Sequence, residues 1–389
     1  MSITGKPVLD KYDIETWMAP VWKGPYVYNE SVMFVGRGDK APLLYPADRI
    51  ISIRSFDLKT EYKEGKDYNL VDGNVELTED SAISFIPEEL YFSDNKEFPF
   101  QIKVMDRGEE KSIYFSELIC KYQVFVTYAH SSGRKLFIPN DESAKFARLL
   151  KKLDAGKDVT LLFYGDSITF GASATGMLGL EPHTPIWPRM FTHYLAKKYG
   201  YTVKYVSVDL PGTNAVPEEP AVFGTRGTIT YINPAVGGWR INDGVEKFDT
   251  YVKPFIEKYG CDFMLLAFGM NDAGNSLETE KDLQKAAIEA VYGMVPDVEM
   301  LLLATMVPNN EAVNGWYGNQ YLFEGVFFEL AEKFTALGKH IAVGQMTAMS
   351  LSMLETKRFR DYTGNNINHP NDFMSRVYAQ VVYATVTGE

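Results

Sequence analysis

The hydrophobic period of this chain changes near residue 140, and one layer of secondary structure cannot satisfy both periods. Before that point apolar residues tend to alternate. In "RIISIRSFDLKTEY" (49–62), Ile51 and Ile53 form one set and Phe56, Leu58 and Tyr62 another. The phase shift between them predicts a bulge or bend. "NLVDGNVEL" (69–77) places Asp72-Gly73-Asn74 between two short β-like runs, which is a hairpin signal. "KSIYFSELICKYQVFVTYAH" (111–130) adds β-branched and aromatic residues. Several short strands with turn signals and no clear helix predict a β-sandwich or jelly roll over residues 1–140.

From residue 141 strands alternate with helices. "DESAKFARLLKKLDAGK" (141–157) has an acidic start, helical spacing and a glycine stop. Apolar strands are expected at 159–165, 202–208, 228–234, 263–269, 299–307 and 340–345, with helices at about 185–199, 241–258, 279–293, 321–337 and 372–385. Near-continuous apolar strands between helices predict a parallel sheet covered on both faces over 141–389. In such sheets ligands bind beyond the C-terminal strand ends. A chain of 389 residues exceeds one ordinary core, in keeping with two domains.

The net charge of −12 argues against nucleic acid and anionic membranes as partners. Cys120 and Cys261 lie far apart and outside any CxxC pattern, so they read as buried thiols and not as a metal site or disulfide framework. The first twenty residues show no apolar signal segment, and no run approaches the ~18 apolar residues of a membrane span. A cytoplasmic location is expected, or an extracellular one had a leader been removed. The oligomeric state is not legible.

Four polar segments fall at predicted strand ends. The strand 159–165 runs into "GDSI", where Ser167 can present its hydroxyl and its N–H; Asp166 or Ser167 as a helix cap is the plainer reading. "VGGW" holds Gly238, whose N–H is unobstructed, or whose glycines only permit a turn. "GMND" holds Asn271, an amide suited to a developing oxyanion, or a turn residue. "GNNINHPND" (364–372) places His369 just before a helix capped by Asn371 or Asp372.

As an ordered set these blocks resemble the SGNH, or GDSL-like, hydrolase family, over about residues 145–389. The resemblance implies a three-layer, flavodoxin-like α/β/α domain. It implies Ser167 as nucleophile and His369 as base, with an oxyanion hole of the Ser167 N–H, the Gly238 N–H and the Asn271 amide. No metal or cofactor is implied. The β-rich half is similar to the N-terminal jelly roll of two-domain carbohydrate acetylesterases. That points to an acetyl or other short acyl group on a small-molecule or oligosaccharide ester. A general short-chain esterase or lysophospholipase, and a carbohydrate-binding protein with a vestigial site, are the rival readings.

The family's acid, three residues before the histidine, is replaced by Asn366. An Asn oxygen still accepts the Nδ1–H of a base but carries no charge. Three readings follow: a Ser167–His369 dyad oriented by Asn366 or a carbonyl, an acid from elsewhere with Asp372 or Asp361 nearest in sequence, or a weakened site. Retention of nucleophile, base and oxyanion donors together favours activity. Candidate substrate-contacting residues are Asp166, Trp187, Trp239 and Trp316. Arg240 is a further candidate for a polar substrate group, or else a surface ion pair, and His183 lies in the loop after Ser167. The Pro- and Gly-rich insertion 209–229 is expected to wall the rim. No wide apolar lid is visible.

Overall fold

The computed structural model describes residues 13–94, 101–212, 219–313 and 316–389. Expectations resting on residues 1–12, 213–218 of the insertion, and 314–315 of the loop before Trp316 lie outside the described residues.

In the C-terminal part seven strands make one sheet. Their spatial order is Ala221–Val222, Thr202–Tyr205, Thr228–Ile232, Val159–Gly165, Phe263–Ala267, Glu299–Leu303 and His340–Gly344. All neighbours pair in parallel except the two-residue edge Ala221–Val222, which is antiparallel. Alternate residues of the central strands fall in two different cores. Leu161, Phe163, Leu265, Leu301 and Leu303 join one, and Leu162, Tyr164, Met264, Leu266, Met300 and Leu302 the other. That is period-two alternation with both faces buried. The helices Trp187–Tyr199 and Asp372–Thr387 cover the first face, and Leu277–Met294 and Phe323–Ala336 the second. The chain's first strand of this sheet, Val159–Gly165, lies at its centre, between the strands Thr228–Ile232 and Phe263–Ala267. Loops after these three strands therefore meet over one point, where the winding changes direction.

Two helical expectations change in detail. The stretch 241–258 is three short helices, Ile241–Glu246, Phe248–Tyr251 and Lys253–Tyr259. Pro254 lies in the first turn of the last of them, where its missing N–H costs nothing. The helix Met346–Leu354 escaped prediction because it is apolar with no polar face to mark a 3.6 period.

The N-terminal half is antiparallel. A four-stranded sheet runs Tyr26–Met33, Gln123–Ala129, Arg49–Ser55, Glu61–Tyr62; a three-stranded one runs Lys40–Ala41, Asn74–Leu77, Tyr68–Val71; Ile102–Asp106 pairs with Glu109–Ile113. The expected hairpin closes through Asp72 and Gly73 at φ 50° and 75°, with Val71 opposite Asn74. The expected bend is a turn between Ser55 and Glu61, with the bulge earlier, between Ile50 and Ser52. The run 111–130 is not continuous strand: a 3₁₀ turn, Ile119–Tyr122, interrupts it. A jelly roll is a finer arrangement than these sheets establish.

The two halves share a core. The residues of one cluster run from Ile14 and Val32 through Tyr128 to Val377 and Val386. The last helix is consequently buried from Asp372 to Val386, with the parallel sheet on one side and the strand Tyr26–Met33 on another. Polar ties reinforce this joint. Gln380 donates to the carbonyls of Trp17 and Ala19, both at 2.9 Å. Lys357 and Glu30, both fully buried, pair at 2.7 Å, and Lys357 also donates to the Ser31 and Pro42 carbonyls. Removing one partner of such a pair costs about 3–5 kcal/mol, because the other charge stays buried. Both cysteines are free and buried, with burial pushing Cys120 up to about 12. Among the described residues no helix is long and apolar enough to cross a membrane.

Candidate active site

Ser167 opens a one-turn helix, Ser167–Phe170, directly after the central strand. Asp166 caps it, accepting the Ile168 N–H at 2.9 Å. As the first residue of a helix, Ser167 has an N–H with no intrahelical acceptor. The last helix begins at Asp372 with Asn371 as cap, and His369 precedes it. His369 Nε2 lies 3.0 Å from Ser167 Oγ.

The other ring nitrogen answers the question of the missing acid. His369 Nδ1 lies 2.9 Å from Glu117 Oε1. Glu117 comes from the N-terminal half, in the turn between the strands Glu109–Ile113 and Gln123–Ala129. Its neighbours Phe115 and Ile119 share a third core cluster with Ile367, two residues before the histidine. Burial works to raise the Glu117 carboxyl, but hydrogen bonds and charge from His369, then donors on Ser173 and Asn365, outweigh it and hold it below the usual range. A carboxylate on Nδ1 selects the tautomer with Nδ1–H donating and Nε2 free to accept the serine proton.

Asn366 does not orient the histidine ring. It sits at φ 71°, and its amide donates to the Tyr114 carbonyl at 3.2 Å while its Oδ1 faces the Tyr91 hydroxyl at 3.5 Å. The left-handed conformation turns its side chain into the N-terminal half. The other acids named from proximity are also engaged elsewhere. Asp372 accepts the Thr175 N–H and hydroxyl at 2.8 and 2.6 Å. Asp361 is fully buried against Arg358 at 3.0 Å and accepts the Met33 N–H.

Gly238 has φ 78°, the left-handed region where a side chain is strained. Beside it a Cβ on Gly237 would stand 3.9 Å from the Ser167 Cβ. The glycine pair thus lies against the serine and is exposed. Asn271 donates one amide hydrogen to the Trp239 carbonyl at 2.8 Å, which ties the two loops together. Asp272 accepts the Ile241 N–H and fixes the start of the next helix.

Two candidate substrate residues are corrected. Asp166 is only 2% exposed and serves as the cap, because its short carboxylate reaches back to the helix it starts. Trp187 is fully buried. Its indole donates to the Ile168 carbonyl at 2.9 Å and its ring stacks 5.9 Å from Tyr378, since this face of its helix lies on the sheet. Trp239 is half-buried, its ring 4.6 Å from Tyr251. Trp316 packs on the cluster that seats Phe115 and Ile367. Arg240 is exposed at a helix start, and His183 is exposed beside Glu181. Among the described residues no three His, Cys, Asp or Glu side chains group to hold a metal.

Asp166 also makes stability depend on pH. Burial raises its carboxyl from 3.8 to about 7, against the N–H of Ile168, with the charge of Asp272 adding to the rise. Between about pH 4 and pH 7 the folded chain therefore keeps a proton that the unfolded chain has released. The stability this confers is complete below about pH 4 and is lost as pH rises through 7. Asp166→Asn keeps a capping oxygen and removes the titration. Its stability relative to the parent should rise across that window by up to ~4 kcal/mol, at about 1.4 kcal/mol per pH unit. Thermal unfolding of both proteins at about pH 5 and 8 measures this; parallel pH curves would refute it.

A profile of the GDSL-like lipase/acylhydrolase family matches residues 161–381. No curated protein matches the chain by sequence. Among solved structures, a two-domain esterase active on acetylated mannans, co-crystallised with mannopentaose, aligns at 16% identity over 64% of this chain and 55% of that one, TM-score 0.44. The match therefore spans about half the length of that esterase. A family 3 carbohydrate esterase from Talaromyces cellulolyticus aligns at 12% identity over 58% and 94% of the two chains, TM-score 0.40. One from Clostridium thermocellum aligns at 14% over 59% and 95%, TM-score 0.38.

Proposed function

The chain belongs to the GDSL-like lipase/acylhydrolase family, and we propose that it is a serine esterase removing an acetyl or another short acyl group from a carbohydrate ester. One observation carries the reading: the unbroken relay from Ser167 Oγ through both nitrogens of His369 to Glu117, at 3.0 and 2.9 Å. A histidine held only for structure has no need of a serine hydroxyl at one nitrogen and a carboxylate at the other.

In this reading Ser167 Oγ attacks the ester carbonyl carbon while His369 Nε2 takes its proton. The carbonyl electron pair moves onto oxygen, which the Ser167 N–H, the Gly238 N–H and the second amide hydrogen of Asn271 receive. Collapse expels the sugar alkoxide, to which the imidazolium returns the proton. Water, activated by the same nitrogen, then releases the acid and restores Ser167. Glu117 stays ionised throughout and stabilises the imidazolium.

The short acyl group is supported by the exposed glycine pair beside the serine, whose loop is tied to Asn271 through the Trp239 carbonyl. Trp239 and Trp316 are the proposed aromatic contacts to a sugar. Hydrolysis of p-nitrophenyl acetate, butyrate and octanoate, with acetate release from acetylated oligosaccharides, tests the class. The expected order is acetate first and octanoate slowest. Preference for octanoate, with no acetate released from the sugars, would replace this reading by a lipid-directed esterase.

A further inference from the structure

Resting on the esterase reading, we propose that Ser173 is a positioning residue that clamps Glu117 against His369. The histidine turn is closed on itself: Thr363 bridges Pro370, and the Gly364 N–H donates to the His369 carbonyl at 2.8 Å. Asn365 fills the inside of this turn and is fully buried. Its Oδ1 accepts three backbone N–H groups, from Ile367, Asn368 and His369, at 3.0, 3.0 and 3.1 Å. Its amide donates to Asn368 Oδ1 at 3.0 Å. One side chain thus holds the main chain of the base.

Ser173 grips the acid from a third segment, the loop that follows the nucleophile. It is 1% exposed at φ 65°, and its hydroxyl donates to Glu117 Oε2, the oxygen that His369 does not use. Gly364 permits this approach, since a Cβ there would lie 2.3 Å from the Ser173 Cβ. The carboxylate is therefore held at both oxygens, by bonds that a charged acceptor makes strong. It needs such a grip because Glu117 crosses from a different half of the molecule and its side chain remains 31% exposed. Without the clamp a partly solvated glutamate has rotamers that leave the imidazole.

The Ser173 hydroxyl also favours the charged carboxylate. Its loss makes the Glu117–His369 pair bind its proton more tightly, so the acid limb of activity should move to higher pH. Looser packing alone would lower kcat at every pH and leave the limb in place.

The test is the pH dependence of p-nitrophenyl acetate hydrolysis by Ser173→Ala and Glu117→Gln, singly and combined. Ser173→Ala is expected to lose about tenfold in kcat, the worth of one charge-assisted bond, with KM little changed and the acid limb raised. In the Glu117→Gln background the same change should cost nothing further. A Ser173→Ala loss that is equal in both backgrounds, with an unmoved acid limb, overturns the clamp and leaves the esterase reading standing. Activity indifferent to both Ser167→Ala and Glu117→Gln overturns the two together.

Discussion

Ser167→Ala is expected to reduce kcat for p-nitrophenyl acetate by about 10⁴- to 10⁶-fold, the range for removing a serine nucleophile. The effect should be this large because in the proposed reaction the hydroxyl is the atom that bonds to the acyl carbon, and His369 has nothing else to deprotonate at Nε2 except water. Some rate above background should persist, since the Gly238 and Asn271 donors remain to stabilise charge. Folding should be nearly untouched. The described side-chain bond of Ser167 is the one to His369, and Asp166 still caps the helix. Thermal unfolding of the variant alongside the kinetics separates lost chemistry from lost structure. Retention of parental kcat by a folded Ser167→Ala protein would remove Ser167 from the reaction.

Glu117→Gln should cost about 10²- to 10⁴-fold in kcat, with KM changed far less. The physical reason lies in the tautomer. Glutamine presents either an oxygen or an NH₂ to Nδ1, and the NH₂ forces the proton onto Nε2, where it blocks acceptance from Ser167. Even in the correct orientation a neutral amide gives the imidazolium no charge to lean on. The loss should sit in kcat because Glu117 touches the base and not the substrate. Asn366→Ala is the paired control: its bonds go to Tyr114 and Tyr91, so it should lower stability while leaving the acid limb where it is. If Asn366→Ala proves the more damaging to kcat and Glu117→Gln is mild, the acid has been assigned to the wrong residue.

The layout of the catalytic part was readable because its causes are local. Strand 159–165, the glycine pair, Asn271 and the histidine before the final helix each announce themselves within a few residues. A parallel sheet then brings strand ends to one rim without further information. Trp187 misled for the opposite reason. Exposure is not a property of a tryptophan in a sequence, and the helix it starts happens to face the sheet. Asp166 combined a motif position with a capping role, and burial left it only the second.

Glu117 was invisible to this kind of reading. It lies 252 positions from His369, in a run whose aromatic and β-branched residues signal strand and nothing else. The sole trace is a carboxylate between Phe115 and Ile119, and many surface strands show the same. The sequence by itself determined two periods and one rim, with a candidate nucleophile, a candidate base and an absent neighbour for that base. Which carboxylate fills the absence was decided by docking. The third core cluster brings Phe115 and Ile119 against Ile367, and the fully buried last helix locks the halves together. Side-chain patterning records which face of an element is buried, but it does not record against which distant element; long-range packing makes that choice, and here the acid comes with it.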